Sequence, residues 1–184
     1  NCLIGENTDG KGFVRSLQEI TSPEEKRVVI FGAGGAARAI AVELGLSGVA
    51  QITIVNRTPQ RGQELVDLLN QRVGVAAELA DWTGDYQVDE ATDIVINATS
   101  IGLGDPDARV PVEADSLHGE MVVADVVFNP PETVFLREAA GQGCTVLDGL
   151  GMLVNQGVIG FQIWTGVEPN ATVMREALEE YLEL

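Results

Sequence analysis

Apolar residues are arranged along the chain in two alternating patterns. Val28-Val29-Ile30-Phe31, Ile52-Thr53-Ile54-Val55, Ile94-Val95-Ile96 and Val122-Val123-Ala124 are short, unbroken and rich in β-branched side chains, as buried strands are. Between them run longer segments with helical spacing, such as 59–72 with its Leu65, Leu68 and Leu69 stripe. The pattern predicts helices over 9–20, 35–47, 59–72, 132–140, 150–165 and 171–183, and strands over 28–31, 51–55, 74–79, 94–96, 122–124 and 145–146. Thr21–Lys26 is polar and contains Pro23, so it reads as a connection into the first strand. No internal repeat or low-complexity tract breaks the order. Strand–helix alternation of this kind implies an α/β, Rossmann-like, doubly wound and mostly parallel sheet with helices on both faces, binding its ligand over the carboxyl ends of the strands.

The first strand feeds directly into Gly32-Ala33-Gly34-Gly35-Ala36-Ala37 and an alanine-rich helix. Gly32 permits a tight turn, Gly34 lets the backbone approach a pyrophosphate, and Ala37 is small enough for close helix–strand packing. Unpaired N–H groups at the helix start then face the phosphates. Alone, such a turn is equally compatible with purely local sterics. The second strand adds to the cofactor reading: it ends in Asn56-Arg57-Thr58-Pro59-Gln60-Arg61, with no acid where a ribose 2′-hydroxyl would be held. Arg57 and Arg61 can pair with a 2′-phosphate, which points to NADP over NAD; the alternative is that they solvate a helix start.

Composition narrows the partners. A net charge of −17 and only two lysines, Lys11 and Lys26, against nine arginines make nucleic acid or an anionic membrane poor partners. The acids are spread along the chain, as on a solvated surface adapted to high salt. Cys2, Cys144 and the single His118 offer neither a disulfide framework nor a metal site. A reducing cytoplasm is the expected location, with oligomeric state open between monomer and homodimer. At 184 residues the chain suits one domain with appendages.

Three segments follow the later strands: Asn97-Ala98-Thr99-Ser100-Ile101-Gly102, Asp125-Val126-Val127-Phe128, and Asp148-Gly149-Leu150-Gly151-Met152-Leu153-Val154-Asn155-Gln156. Each can be an ordinary turn, with Asn97 as a cap and Gly149 and Gly151 as hinges. Together they line the place where a nicotinamide would project.

These segments, with Asn7-Thr8-Asp9-Gly10, Asn56-Arg57-Thr58 and Trp164-Thr165-Gly166, run in the order found in the shikimate dehydrogenase family, and the chain resembles that family's C-terminal, NADP-binding part. The resemblance implies reversible hydride transfer between NADPH and 3-dehydroshikimate, giving shikimate. It implies that Asp9 bonds the substrate and partners a catalytic lysine, and that Gln156 holds a ring hydroxyl. Cofactor contacts would come from Gly32, Ala33, Gly34, Gly35, Ala36, Asn56, Arg57, Thr58, Arg61, Asn97, Thr99, Ser100, Val126, Gly149 and Met152. By residue type alone, Asp9 can equally cap the first helix, Gln156 can face solvent and Met152 can fill core.

Two departures accompany the resemblance. Phe128 stands at the substrate-binding position where the family commonly has a tyrosine. The family's N-terminal substrate domain, which carries the lysine, has no counterpart in these residues. The implied organisation is a linking helix with the substrate-side aspartate over 1–22, the NADP-binding domain over 23–166, and a C-terminal helix over 167–184 packing back toward the N-terminal domain. Such a chain is expected to be part of a longer protein, to bind NADP and to show no turnover by itself, since the alkoxide left by hydride transfer needs a proton donor. A quinate/shikimate paralogue and a non-catalytic NADP-binding module are the alternatives; retention of Asp9 and Gln156, which a cofactor-only module does not need, favours the enzyme.

Overall fold

The computed structural model describes residues 5–184, so Cys2 and the start of the 1–22 segment lie outside the described residues. Six strands form one sheet: β1 (Arg27–Phe31), β2 (Gln51–Val55), β3 (Ala76–Ala80), β4 (Ile94–Asn97), β5 (Val122–Asp125) and β6 (Thr145–Leu147). Their order is β3-β2-β1-β4-β5-β6, and every neighbouring pair is parallel. The central strands are buried on both faces, which is why they read as unbroken apolar runs.

Alternation along β1 divides the core. Val28 and Ile30 face a layer built with α1 (Asp9–Gln18), α2 (Gly35–Leu46) and α3 (Pro59–Leu68), through Phe13, Leu17, Ile40, Leu44 and Leu65. Val29 and Phe31 face the other way, toward Phe135 and Leu136 of α4 (Val134–Gly141). That second face carries fewer helices than expected. Between β3 and β4, and between β4 and β5, the chain is irregular apart from one 3₁₀ turn at Ala114–Ser116. Val88, Val110, Val112 and Leu117 from these stretches cover the sheet instead. Trp82 and Tyr86 set their rings 5.3 and 5.6 Å from the Phe31 ring. Aromatic bulk replaces a helix there.

The predicted helix over 59–72 is two elements. After Leu68 it widens into a π turn, Leu69–Val73, closed by Gly74 at φ 82°. The Asn70 side chain then bonds both the amide (3.1 Å) and the carbonyl (2.9 Å) of Ala77, occupying backbone groups of the edge strand β3. With the helix running on to Val73 and Gly74 capping it, β3 starts two residues later than the apolar pattern indicates. At the amino end of β1, Asp93 accepts from Lys26 Nζ (2.7 Å) and from the Arg27 amide (2.8 Å), tying β1 to β4. Two further helices, α5 (Gly149–Thr165) and α6 (Ala171–Leu182), complete the fold, and α5 packs against α1.

Candidate active site

All six strands are parallel, so the loops that follow them gather at the same end of the sheet. After β1, Gly32 adopts φ +111°, and a Cβ there would lie 2.8 Å from the Ala98 carbonyl oxygen. Only glycine allows that approach of two loops. Gly34 precedes α2, and space is open where Cβ atoms on Gly34 and Gly35 would stand. No side chain caps α2 and no acid occupies its first turn, so its N–H groups remain available to an anion. Ala37 is fully buried, as close helix–sheet packing requires.

The loop after β2 is ordered by Asn56, whose side-chain amide donates to the Thr58 carbonyl at 2.8 Å. Arg57 is exposed beside a cleft of about 110 Å³ lined by Asn56, Arg57 and Pro59, with Asp81, Trp82 and Thr83 supplied from beyond β3. Sequence reading did not find the last three, because their segment has no periodic pattern. Arg61 is exposed on the first turn of α3 and does not line this cleft. Neither arginine is held in an ion pair among the described residues.

A second cavity, about 260 Å³, gathers Asp9 from α1, Ala36 from α2, Val126 and Phe128 from the β5 loop, and Gly149, Met152 and Gln156 from α5. All seven come from segments separated by up to 147 positions, and each was picked out from sequence. Leu153 is an additional wall residue; it lies inside an apolar helical run that gave it no distinguishing mark.

Local structure explains the convergence. The backbone at the start of α1 is capped by Asn7, whose Oδ1 accepts from the Asp9 amide at 2.9 Å. Asp9 therefore does not serve as the cap, and it lines the cavity. A Cβ on Gly12 would lie 2.6 Å from the Gln156 amide nitrogen and 2.8 Å from the Met152 carbonyl oxygen, so α1 and α5 cross almost backbone to backbone. Ser16 Oγ accepts from Asn155 at 2.9 Å and donates to the Gly12 carbonyl at 3.0 Å. Thr8 Oγ1 and Gln156 Oε1 stand 3.4 Å apart at the cavity's edge. Asp148 caps α5 by accepting from Leu150 (3.1 Å) and Gly151 (3.3 Å). Gly149 is not a loop hinge: it is the first residue of α5, and a Cβ there would meet the Val127 and Val126 carbonyls at 2.5 and 2.6 Å.

Asn97 does not cap a helix, since none follows β4 directly. It is fully buried at the end of β4. Its amide donates to Ile101 O (3.2 Å) and Asp125 Oδ1 (2.9 Å), while its oxygen accepts from the Thr99 hydroxyl (2.7 Å) and amide (3.1 Å). Asn97 shapes the loop; Thr99 and the exposed Ser100 lie nearer the surface. Asp125, which the sequence did not single out, is 1 % exposed. Burial pushes its carboxyl up to about 6, against the pull of hydrogen bonds from Val127, Thr133 and Asn97. A carboxylate closing the apolar run Val-Val-Ala was the available signal.

Neither lysine lines the cavity. Lys11 is paired with Glu6, and Lys26 with Asp93 at 2.7 Å. A larger groove of about 730 Å³ opens among Arg27, Gln51, Glu78, Tyr86 and Asp89, at the amino ends of β1 and β2, and carries none of the candidate site residues.

Known proteins share this chain's sequence and fold. The family model for shikimate/quinate 5-dehydrogenase matches residues 15–103, and that for the shikimate 5′-dehydrogenase C-terminal domain matches 149–179. The NADP(+) shikimate dehydrogenase of Methanopyrus kandleri is 43% identical over 185 residues, covering 98% of this chain and 64% of that protein. Among solved structures, the ligand-free 5-ketofructose reductase of Gluconobacter sp. strain CHM43 superposes with a TM-score of 0.95 at 58% identity, over 97% of this chain and 65% of that one. A shikimate dehydrogenase in complex with NADP+ superposes at 0.89 with 40% identity, over 97% of this chain and 63% of that one. The chain thus spans just under two thirds of the length of these relatives.

Proposed function

This chain belongs to the shikimate/quinate dehydrogenase family, and we propose that it forms the NADP(H)-binding part of an enzyme interconverting 3-dehydroshikimate and shikimate. One observation carries the reading: the cavity that Asp9 and Gln156 line also includes Ala36, one residue into the helix that follows the glycine turn. Polar groups suited to a polyhydroxylated ring therefore stand beside the place where a dinucleotide is bound.

Each group has a part. The open N–H groups of α2 receive the pyrophosphate, and Arg57, with Arg61 a turn away, receives the 2′-phosphate. Met152, Val126 and Gly149 form the wall against the nicotinamide. Bound NADPH supplies the hydride. Gln156 holds a substrate hydroxyl, and Asp9 bonds the substrate and orients the group that protonates the forming alkoxide. With Lys11 and Lys26 both paired away from the cavity, that donor comes from outside these residues, as does the opposite wall of the site. We read residues 167–184 as packing toward that wall; the exposed Ile163, Trp164 and Val167, at the end of α5 and just beyond it, support this placement.

Phe128 and the 58% identity to the Gluconobacter protein favour a second reading, reduction of 5-ketofructose. A phenyl ring offers no hydrogen bond where a hydroxyl would recognise a carboxylated ring. NADPH oxidation by the complete gene product, assayed with 3-dehydroshikimate and with 5-ketofructose, tests both. Higher kcat/KM with 3-dehydroshikimate is expected; the reverse order selects the second reading, and inertness toward both removes both. The 184 residues alone should bind NADP+ and show no shikimate oxidation; turnover by them, lost in Asp9→Asn, would overturn the assignment of the proton donor.

A further inference from the structure

Beneath the cavity one buried side chain joins the segments that build it. Asp125 Oδ1 accepts from the Val127 amide at 2.9 Å and from Asn97 Nδ2 at 2.9 Å, and Oδ2 accepts from the Thr133 hydroxyl at 2.8 Å. Those donors belong to the loop after β5, the end of β4 and the first cap of α4. No cation pairs with this carboxylate among the described residues. An unpaired buried carboxylate is costly, so its retention calls for a reason. The geometry supplies one: three buried donors converge on a space that fits a single short side chain, and a carboxyl group is the one that accepts from all of them. The consequence reaches the cavity through sterics. The Val126 and Val127 carbonyls it fixes are the atoms against which Gly149 is seated, so the β5 loop and the start of α5 keep one spacing. Through Asn97 the same carboxylate holds the loop whose Ala98 carbonyl abuts Gly32.

We infer that Asp125 is a positioning residue that fixes the nicotinamide end of the cofactor site by locking the β4 and β5 loops together. The inference rests on the NADP reading above, and two ligands separate their failures. NADP+ spans the whole site, whereas adenosine 2′,5′-bisphosphate occupies only the adenosine and 2′-phosphate end near Arg57. In calorimetric titrations, Asp125→Ala should weaken NADP+ by at least about fivefold and leave the bisphosphate within about twofold. Asp125→Asn should recover most of the NADP+ affinity, because its oxygen still accepts from Val127 and Asn97 and its amide donates to Thr133. Should Asp125→Ala fail to fold, Thr133→Val removes one donor with the same selective loss, and Thr133→Ser restores it. Equal weakening of both ligands, or unchanged NADP+ affinity in Asp125→Ala and Thr133→Val, overturns the inference. Failure of the unaltered chain to bind NADP+ overturns the cofactor reading and this inference with it.

Discussion

At the scale of single residues, the proposed preference for NADP rests on Arg57. Its guanidinium is exposed at the mouth of a cleft and free of ion pairs among the described residues, so it is available to a phosphate without first leaving a partner. Arg57→Ala should lower NADP+ affinity by about tenfold or more and leave NAD+ affinity unchanged, measured by calorimetry; equal losses would mean that Arg57 does not meet the 2′-phosphate. Asp125 makes a second residue-scale prediction. Its carboxyl titrates near 6 in the fold against 3.8 for an unperturbed aspartate, so the folded state keeps a proton that the unfolded chain has lost. The stability this contributes is complete below pH 4 and disappears as pH rises through about 6, a change of about 3 kcal/mol. Asp125→Asn cannot lose that proton. Urea midpoints at pH 4.5 and pH 7, at constant ionic strength, should therefore show the variant gaining on the parent at the higher pH, and a parallel pair of profiles would refute the assignment.

At the scale of elements, the α1–α5 crossing holds Asp9 and Gln156, the groups proposed to meet the substrate, in one cavity. Gly12 permits it, since a Cβ would stand 2.6 Å from a backbone nitrogen that cannot rotate away. Gly12→Ala should force the helices apart, cost about 1–3 kcal/mol in a urea titration and separate Asp9 from Gln156. Ligand binding gives the sharper readout: NADP+ affinity should fall far less than substrate affinity in the complete gene product, because the phosphate-binding turn lies on α2. An unchanged melting curve would show that the helices adjust freely. The irregular stretches between β3 and β5 belong to this scale too. Their Val88, Val110, Val112 and Leu117 close the sheet as a helix would, through contacts distant in sequence.

At the scale of the whole molecule, a charge of −17 spread over 184 residues is expected to make the fold's stability depend on salt. The salt bridges among the described residues are few and all at least partly exposed, so they offset little of the repulsion. At low ionic strength the acids repel one another over about 10 Å or more, and molar salt shortens that range to about 3 Å. The melting temperature is expected to climb steeply from dilute buffer to molar potassium chloride; a flat profile would reduce the acidity to a solubility feature. Among the described residues no helix is long and apolar enough to cross a membrane.

The sequence by itself determined the sheet's strands, the glycine turn and the arginine loop, because each is written in neighbouring residues whose sterics and hydrogen bonding act locally. Asp9, Phe128, Met152 and Gln156 were legible for a different reason: their segments resemble a family, and the family's order places them. Only the tertiary structure decided that Asn7 rather than Asp9 caps α1, that Asn97 is sealed beneath the loop it was expected to present, and that Asp125 joins three segments. In each case the deciding quantity is a distance between groups far apart in the chain, or a competition among several donors for one acceptor. Periodicity and composition carry no record of either. The π turn after Leu68 and the helix-poor face of the sheet follow the same rule, since Asn70 with Ala77, and Trp82 and Tyr86 with Phe31, meet only when the strands are assembled.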